Sequence, residues 1–180
     1  MKDAIVDRVI VMRAANAGLV IIRERTLSGK FLPGSSPGAD QYSTKPFARP
    51  LAGLSKAHTK ALMSDQSIVF TKDGEAKQIW ILVKGGYKQF RSLAGKNTDH
   101  VTLTWSGRMM RNLGILNAGN NEATLGMKSD DTKQLALYHN SMGAGKSRRK
   151  HVFMGFTDAE KQRLTNIVGD EVMKRLRLST

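Results

Sequence analysis

The chain has 180 residues, no cysteine and a formal net charge of +14. The lack of cysteine excludes disulfides and thiolate metal sites, and no apolar run approaches the roughly 20 residues of a membrane span, so we expect a soluble intracellular protein without an N-terminal signal. The charge predicts a polyanionic neighbour, either nucleic acid or an acidic protein surface.

The first 50 residues divide into a predicted helix and a predicted arm. Apolar residues recur at three- and four-residue steps from Ile5 to Ile22, which predicts an amphipathic helix over 2–25. The segment 27–50 contains all four prolines of the chain and three glycines, and it shows no apolar period. We therefore expect a long Pro/Gly-rich extended arm, because structureless segments of this length are usually functional or disordered.

This arm has two interpretations at the level of sequence. It is either a plain linker or an interaction arm whose aromatic side chains bind in a groove of a neighbouring subunit. The candidate anchors are Phe31, Tyr42 and Phe47.

The remainder of the chain mixes helices with short strands in one predicted domain, 1–180, whose sheet-and-helix core spans 67–177. The predicted helical segments are 51–64, 87–96 (a weak helix or a loop), 106–113 (a short helix or a bent strand), 130–141 and 158–177. The predicted strands are 67–70, 77–84 (a strand or a buried helical turn), 101–105, a hairpin of 112–117 and 122–127, and 151–156. Periodicity cannot decide between helix and strand over the shortest of these runs.

Two of the predicted helices have clear start signals. Thr157 and Glu160 have the spacing of a capping box, in which each side chain accepts a hydrogen bond from the other residue's backbone N–H. Ser129 precedes 130–141 as a candidate N-cap, and Asp130 and Asp131 favour the positive end of the helix dipole.

The stretch GAGKSRRK at 143–150 has the look of a phosphate-binding loop. A true P-loop, G-x-x-x-x-G-K-[ST], would require glycine where the chain has Asn140. The basic residues that follow also oppose the dipole of the helix that a P-loop opens. We interpret the stretch as a flexible basic surface loop that contacts an acidic protein surface or DNA. Its candidate contact residues are Lys146, Arg148, Arg149 and Lys150.

The sequence contains no pattern that indicates catalysis. None of the four histidines is paired with another at the i, i+3 or i+4 spacing of a helical metal site, and no nucleophile signature such as G-x-S-x-G is present. His139 lies where a predicted helix ends, and there a structural role is favoured by the helix dipole. We therefore expect no catalytic, cofactor or metal site, and a protein that is not an enzyme.

Three segments follow one another in the carboxy-terminal half: WSGRMMRNLG at 105–114, LALYHNSMG at 135–143 and HVFMGFTDAE at 151–160. In this order they resemble the virion-morphogenesis family of tailed bacteriophages, also called tail-completion or head–tail joining proteins. The resemblance covers roughly 75–177. The matching positions are Ser106, Gly107, Met109, Ala136, His139, Gly143, Phe153, Gly155, Phe156, Thr157 and Glu160.

The resemblance implies an α+β fold, with a small antiparallel sheet flanked by N-terminal and C-terminal helices, similar to tail terminators. It implies a non-enzymatic structural protein of the virion neck, assembled in the bacterial cytoplasm as a homo-oligomeric, commonly hexameric ring. The implied partners are further copies of the chain, the head–tail connector or adaptor, the tail terminator or tail tube, and packaged DNA in the lumen, with no membrane and no cofactor. Arg108, inside the first segment, joins the candidate contact residues. The alternative is a basic DNA-binding protein that uses the 146–151 loop.

Overall fold

The computed structural model describes residues 6–72, 78–145 and 148–178, and over these ranges the chain is an α+β protein, as predicted. The helices are α1 (Arg8–Leu27), α2 (Lys56–Ser64), α3 (Gly86–Leu93), α4 (Arg108–Asn112), α5 (Asp130–Leu137), a π-helical turn (Tyr138–Met142) and α6 (Asp158–Leu178). The strands are β1 (Phe47–Pro50), β2 (Ile68–Lys72), β3 (Ile79–Val83), β4 (Leu113–Ala118) and β5 (Ala123–Met127).

The chain forms two compact units, where the sequence alone predicted a single domain. Unit 1 consists of Met1–Asp40 with Thr102–Thr180, and unit 2 of Gln41–Val101. Each unit has its own hydrophobic core.

Helix α1 contributes the longest buried stripe of unit 1. The predicted start at residue 2 lies outside the described residues. In the described part α1 begins at Arg8, because Asp7 is extended and its side chain accepts hydrogen bonds from the backbone N–H of Val9 and Ile10 at 2.9 and 3.1 Å. This cap satisfies two of the free N–H groups at the helix start. The core around α1 contains Leu19, Ile22, Met109, Met110, Leu113, Met127, Ala136 and Phe153.

The hairpin predicted for 112–127 is confirmed. Strands β4 and β5 are antiparallel, with Leu113 opposite Met127 and Ile115 opposite Leu125, and the register shifts once after Ile115. The capping box is also confirmed: the backbone N–H of Thr157 donates to Glu160 at 2.8 Å, and that of Glu160 donates to the Thr157 hydroxyl at 3.2 Å.

The strand predictions for 101–105 and 151–156 are wrong. Residues 101–105 are irregular, and Leu103 has a positive φ of 51°. Residues 151–156 form no strand, because side chains replace the acceptors that a partner strand would supply. The backbone N–H of Val152 donates to the Ser35 hydroxyl at 2.9 Å, and that of Phe153 donates to Asn140 Oδ1 at 2.8 Å.

The predicted helix 130–141 is α-helical only to Leu137 and continues as the π-helical turn. Ser129 occupies the N-cap position but does not cap through its side chain, which corrects the prediction. Its hydroxyl donates to Asp131 Oδ1 at 2.6 Å, and Asp131 Oδ1 accepts the backbone N–H of Thr132 at 2.8 Å. The acidic side chain has taken over the capping role.

Unit 2 is a three-stranded antiparallel sheet, in the order β1-β3-β2, with α2 and α3. Its core joins Leu62 of α2 and Phe90 of α3 to Ile68, Ile81 and Val83 of the sheet. The alternatives left open for 77–84 and 87–96 resolve to a strand and a helix. Helix α2 starts five residues later than predicted, at Lys56 rather than 51, because the Ser55 hydroxyl caps it. Strand β1 lies inside the segment 27–50, which the sequence predicted to be an arm without regular structure, so this prediction is corrected for its last four residues.

Candidate interaction surface

The three segments behind the family resemblance meet in the core of unit 1. Met109, Ala136 and Phe153, one from each segment, are 6%, 7% and 0% exposed and belong to one buried cluster. Gly155 has a φ of 129°, a conformation that side chains with a Cβ rarely adopt, and an added Cβ would lie 3.1 Å from Leu32. These four matching positions therefore have structural roles.

A buried arginine of α1 connects to the last of these segments. The Arg25 guanidinium donates to the carbonyls of Phe153 and Gly155 at 2.6 and 3.0 Å and forms an ion pair with Glu160. Glu160 thus serves the capping box and Arg25 together. Nothing in the spacing of the sequence indicates this pairing, because 135 positions separate the two residues.

His139 and His151 form a second buried connection that the sequence analysis missed. Their Nδ1 atoms are 3.3 Å apart, and the backbone N–H of His151 donates to the His139 carbonyl at 2.7 Å. Burial lowers the pKa of His139 below its usual value. Burial, followed by the repulsion that a protonated His139 would exert and by the positive charge of Arg149, lowers the pKa of His151 to about 4. The pair is therefore neutral at pH 7, as expected for a packed structural contact.

The two described ends of the basic loop pair with each other, and the second end is joined to the arm. An isolated β-bridge links Ala144 to Arg149, and Gly143 has a φ of 85°. The described residues 148–157 contain no helix, whereas a P-loop would need one immediately after the loop. The Arg149 side chain donates to the Gly38 carbonyl at 2.9 Å, and the Lys150 backbone exchanges hydrogen bonds with Ser36.

The structure describes three of the four predicted basic contact residues. Lys146 lies outside the described residues, Arg148 and Lys150 are exposed, and Arg149 is half-buried against the arm. Arg108 lies elsewhere in unit 1, is exposed, and forms an ion pair of 2.7 Å with Asp131. A hydrogen bond from Ser129, followed by the Arg108 charge, lowers the pKa of Asp131.

The three aromatic residues predicted as anchors of the arm pack within their own units. Phe31 contacts His151 edge to face, with ring centroids 5.2 Å apart. The Arg91 guanidinium lies over the Tyr42 ring, with its Cζ atom 4.4 Å from the centroid of that ring. Phe47 contacts Phe90, and their ring centroids are 5.7 Å apart. Binding to a neighbouring subunit stays a prediction for these three side chains.

Comparison of the chain with protein-family models, with characterised proteins and with solved structures finds no match. Among the described residues, no three His, Asp or Glu side chains are grouped so that they could hold a metal ion. No described helix combines the length and apolar character that a membrane span requires.

Proposed function

We propose that this chain is a structural virion protein of a tailed bacteriophage that forms a homo-oligomeric ring at the head–tail junction. Its partners in this role are further copies of itself, the connector or adaptor on the head side, and the tail terminator or tail tube on the other side. The packaged DNA passes through the lumen of the ring. The protein acts by binding, without chemistry of its own.

One observation supports this proposal above the others. Met109, Ala136 and Phe153, which come from three separate segments of the family pattern, pack into one core, and the capping box of the third segment is present. The fold also belongs to the α+β class that the resemblance implies.

The first experiment is deletion of the gene from the phage or prophage that encodes it, with complementation from a plasmid. We expect lysates of the deletion to contain DNA-filled heads and separate tails by electron microscopy, and the plasmid to restore joined, infectious particles. Normal joined particles without the protein would refute the proposal.

The same assay tests the basic loop. Neutralising Lys146, Arg148, Arg149 and Lys150 together should reduce joining, because several charge contacts at a rim are lost at once and association is no longer steered. The control variant neutralises four exposed lysines of unit 2, which keeps the change in net charge the same. These are Lys56, Lys60, Lys84 and Lys88. Equal activity of the two variants would exclude a specific role for the loop.

The net charge of +14 favours one second candidate, a DNA-binding protein that uses the 146–151 loop. Binding of this kind weakens steeply with salt, because each neutralised phosphate contributes a slope of about −0.9 to log K against log salt. Fluorescence anisotropy with a labelled duplex at increasing salt therefore separates the two functions. Tight binding with a steep slope that the fourfold variant flattens, together with normal joined particles in the deletion, would favour the DNA-binding function.

A further inference from the structure

Residues 31–39, here called the strap, are held against residues 149–153 by hydrogen bonds that run in both directions. Two backbone N–H groups of the strap donate to carbonyls of 149–153, at 2.7 and 3.0 Å. Two backbone N–H groups of 149–153 donate to serine hydroxyls of the strap, both at 2.9 Å. Because two of the acceptors are side chains, separate contacts fasten the strap and no strand ladder forms. The donor and acceptor residues are Leu32 and Val152, Ser36 and Lys150, Lys150 and Ser36, and Val152 and Ser35.

The joint between the strap and 149–153 is built around His151, which is 7% exposed. Its ring contacts the ring of Phe31 edge to face, and the backbone of Ala39 hydrogen-bonds to it, so two residues of the strap meet this one side chain. The ring also meets His139 of the π-helical turn, with the two Nδ1 atoms 3.3 Å apart. His151 therefore connects the strap to the π-helical turn.

The charged groups that face this histidine pair oppose its protonation. The hydrogen bond between the Nδ1 atoms needs one nitrogen that donates and one that accepts, and two protonated rings leave no acceptor. The strap presents an aromatic ring and a backbone group to His151, the π-helical turn presents His139, and its own segment presents the backbone and the positive charge of Arg149. Among the described residues, no carboxylate forms an ion pair with either ring. Two imidazolium rings at this distance therefore repel each other without a compensating charge.

We infer that the His139–His151 pair is a latch: when both rings are protonated, the strap separates from 149–153 while the rest of unit 1 stays folded. The strap can open alone because it supplies none of the residues that form the buried cluster around α1. The β4–β5 ladder and the hydrogen bonds of the capping box do not involve it either. A segment with few buried contacts opens at a lower free energy than the whole fold, and opening gives both rings to water.

Opening would change what the strap presents to other molecules. Leu32 and Ala39, which are 8% and 4% exposed in the closed strap, would be uncovered, and Phe31 would leave the edge of the core. Phe31 is also a predicted anchor for a neighbouring subunit, so the latch would control when that side chain is available. The inference goes beyond the proposed function and does not depend on it, because it follows from contacts within one chain.

The size of the effect follows from proton linkage. In the open state both rings are in water, where a histidine has a pKa of about 6.5. In the closed state the pKa of His151 is about 4. Between pH 7 and pH 5 His151 alone therefore raises the equilibrium constant for opening about twentyfold, because the open state takes up a proton that the closed state does not. Burial also lowers the pKa of His139, so its contribution has the same sign.

The first test measures hydrogen exchange of individual amides by NMR at pH 7 and pH 5, expressed as protection factors so that the intrinsic pH dependence of exchange is removed. The amides of Leu32, Ser36 and Val152 report on the strap, because each donates across the joint. We expect their protection to fall about twentyfold at pH 5 and to stay at least about tenfold below that of α1 at both pH values. Equal protection in the strap and in α1 would show that they unfold together, and unchanged protection of the strap would show that protonation does not open it. Either result would overturn the inference.

The second test removes the titrating groups. In the double variant His139→Gln/His151→Gln neither side chain can gain a proton, so protection of the strap should be the same at pH 7 and pH 5, whatever its level. The matched control is His100→Gln, which removes a histidine outside the pair and should keep the full fall in protection. A fall that persists in the double variant would assign the effect to other groups and refute the latch.

A titration of the unmodified chain links the rings to the strap directly. The ring resonances of His139 and His151 and the amide resonances of the strap should shift with a common midpoint as the pH falls, while the amides of the β4–β5 hairpin keep their positions. If the rings titrate and the strap amides do not shift, the closed structure accommodates the charge and the inference is wrong.

Discussion

Two arginines of α1 form ion pairs with glutamates of α6, and replacing each with methionine should have very different effects on stability. Arg25 and Glu160 have side chains that are 8% and 19% exposed, and Arg25 also donates to two backbone carbonyls. The side chains of Arg13 and Glu171 are 52% and 24% exposed, and the Arg13 guanidinium donates to the Glu171 carboxylate. Methionine keeps much of the side-chain length, so the comparison isolates the charge and its hydrogen bonds.

The expected magnitudes follow from burial. Arg25→Met leaves a partly buried carboxylate and two carbonyls without their donor, and breaking a buried pair in this way costs about 3–5 kcal/mol. Arg13→Met removes a solvated pair, which is worth about 0–1 kcal/mol because water and salt screen it. The expected loss of stability for Arg25→Met is large because the Glu160 carboxylate that loses its partner also caps α6.

The assay is urea unfolding of unit 1, followed by the fluorescence of Trp105 in a Trp80→Phe background so that only this unit reports. We expect the free energy of unfolding to fall by several kcal/mol for Arg25→Met and to change little for Arg13→Met. A similar loss for both variants would refute the argument that burial sets the difference. If Arg25→Met has little effect on the free energy of unfolding in a variant that already lacks the Glu160 side chain, the stabilisation comes from the Arg25–Glu160 pair.

Three further predictions concern unit 1 and use the same unfolding assay. Thr157→Ala should cost about 1 kcal/mol through loss of the cap, and an unchanged midpoint would contradict this. The His139–His151 pair is neutral in the fold and its pKa values lie below the usual 6.5, so the unfolded chain binds protons first as the pH falls. Stability should therefore decrease from pH 6.5 toward 4, by on the order of 3 kcal/mol for His151, and His151→Gln should flatten that decrease. Gly143→Ala should be much more damaging than Gly145→Ala. An added Cβ would lie 2.0 Å from the Arg148 carbonyl oxygen in the first case, and in the second it meets no atom of the described residues within 4 Å. The second substitution has only the positive φ to disfavour it, about 1–2 kcal/mol, and equal losses would show that the loop relaxes freely.

The elements that the sequence predicted correctly are those with local causes. The apolar period and the Thr157–Glu160 spacing placed α6 within one residue at each end, and two alternating segments around Gly119-Asn120-Asn121 placed the hairpin. In each case the residues that make the contacts are neighbours in sequence, so the sequence pattern predicts the structure. The class of fold follows from these local elements.

Contacts between distant residues decided the rest. Strand β1 forms because β3, more than 30 residues later, supplies its hydrogen bonds, and residues 151–156 are not a strand because Ser35 and Asn140 supply the acceptors instead. The run KQIWILVK is apolar at successive positions, so its pattern could not say which side chains would be covered. Trp80 and Leu82 are exposed because α2 and α3 pack on the other face of the sheet. The sequence of a short strand that is apolar on both faces does not indicate which of them the rest of the chain will cover.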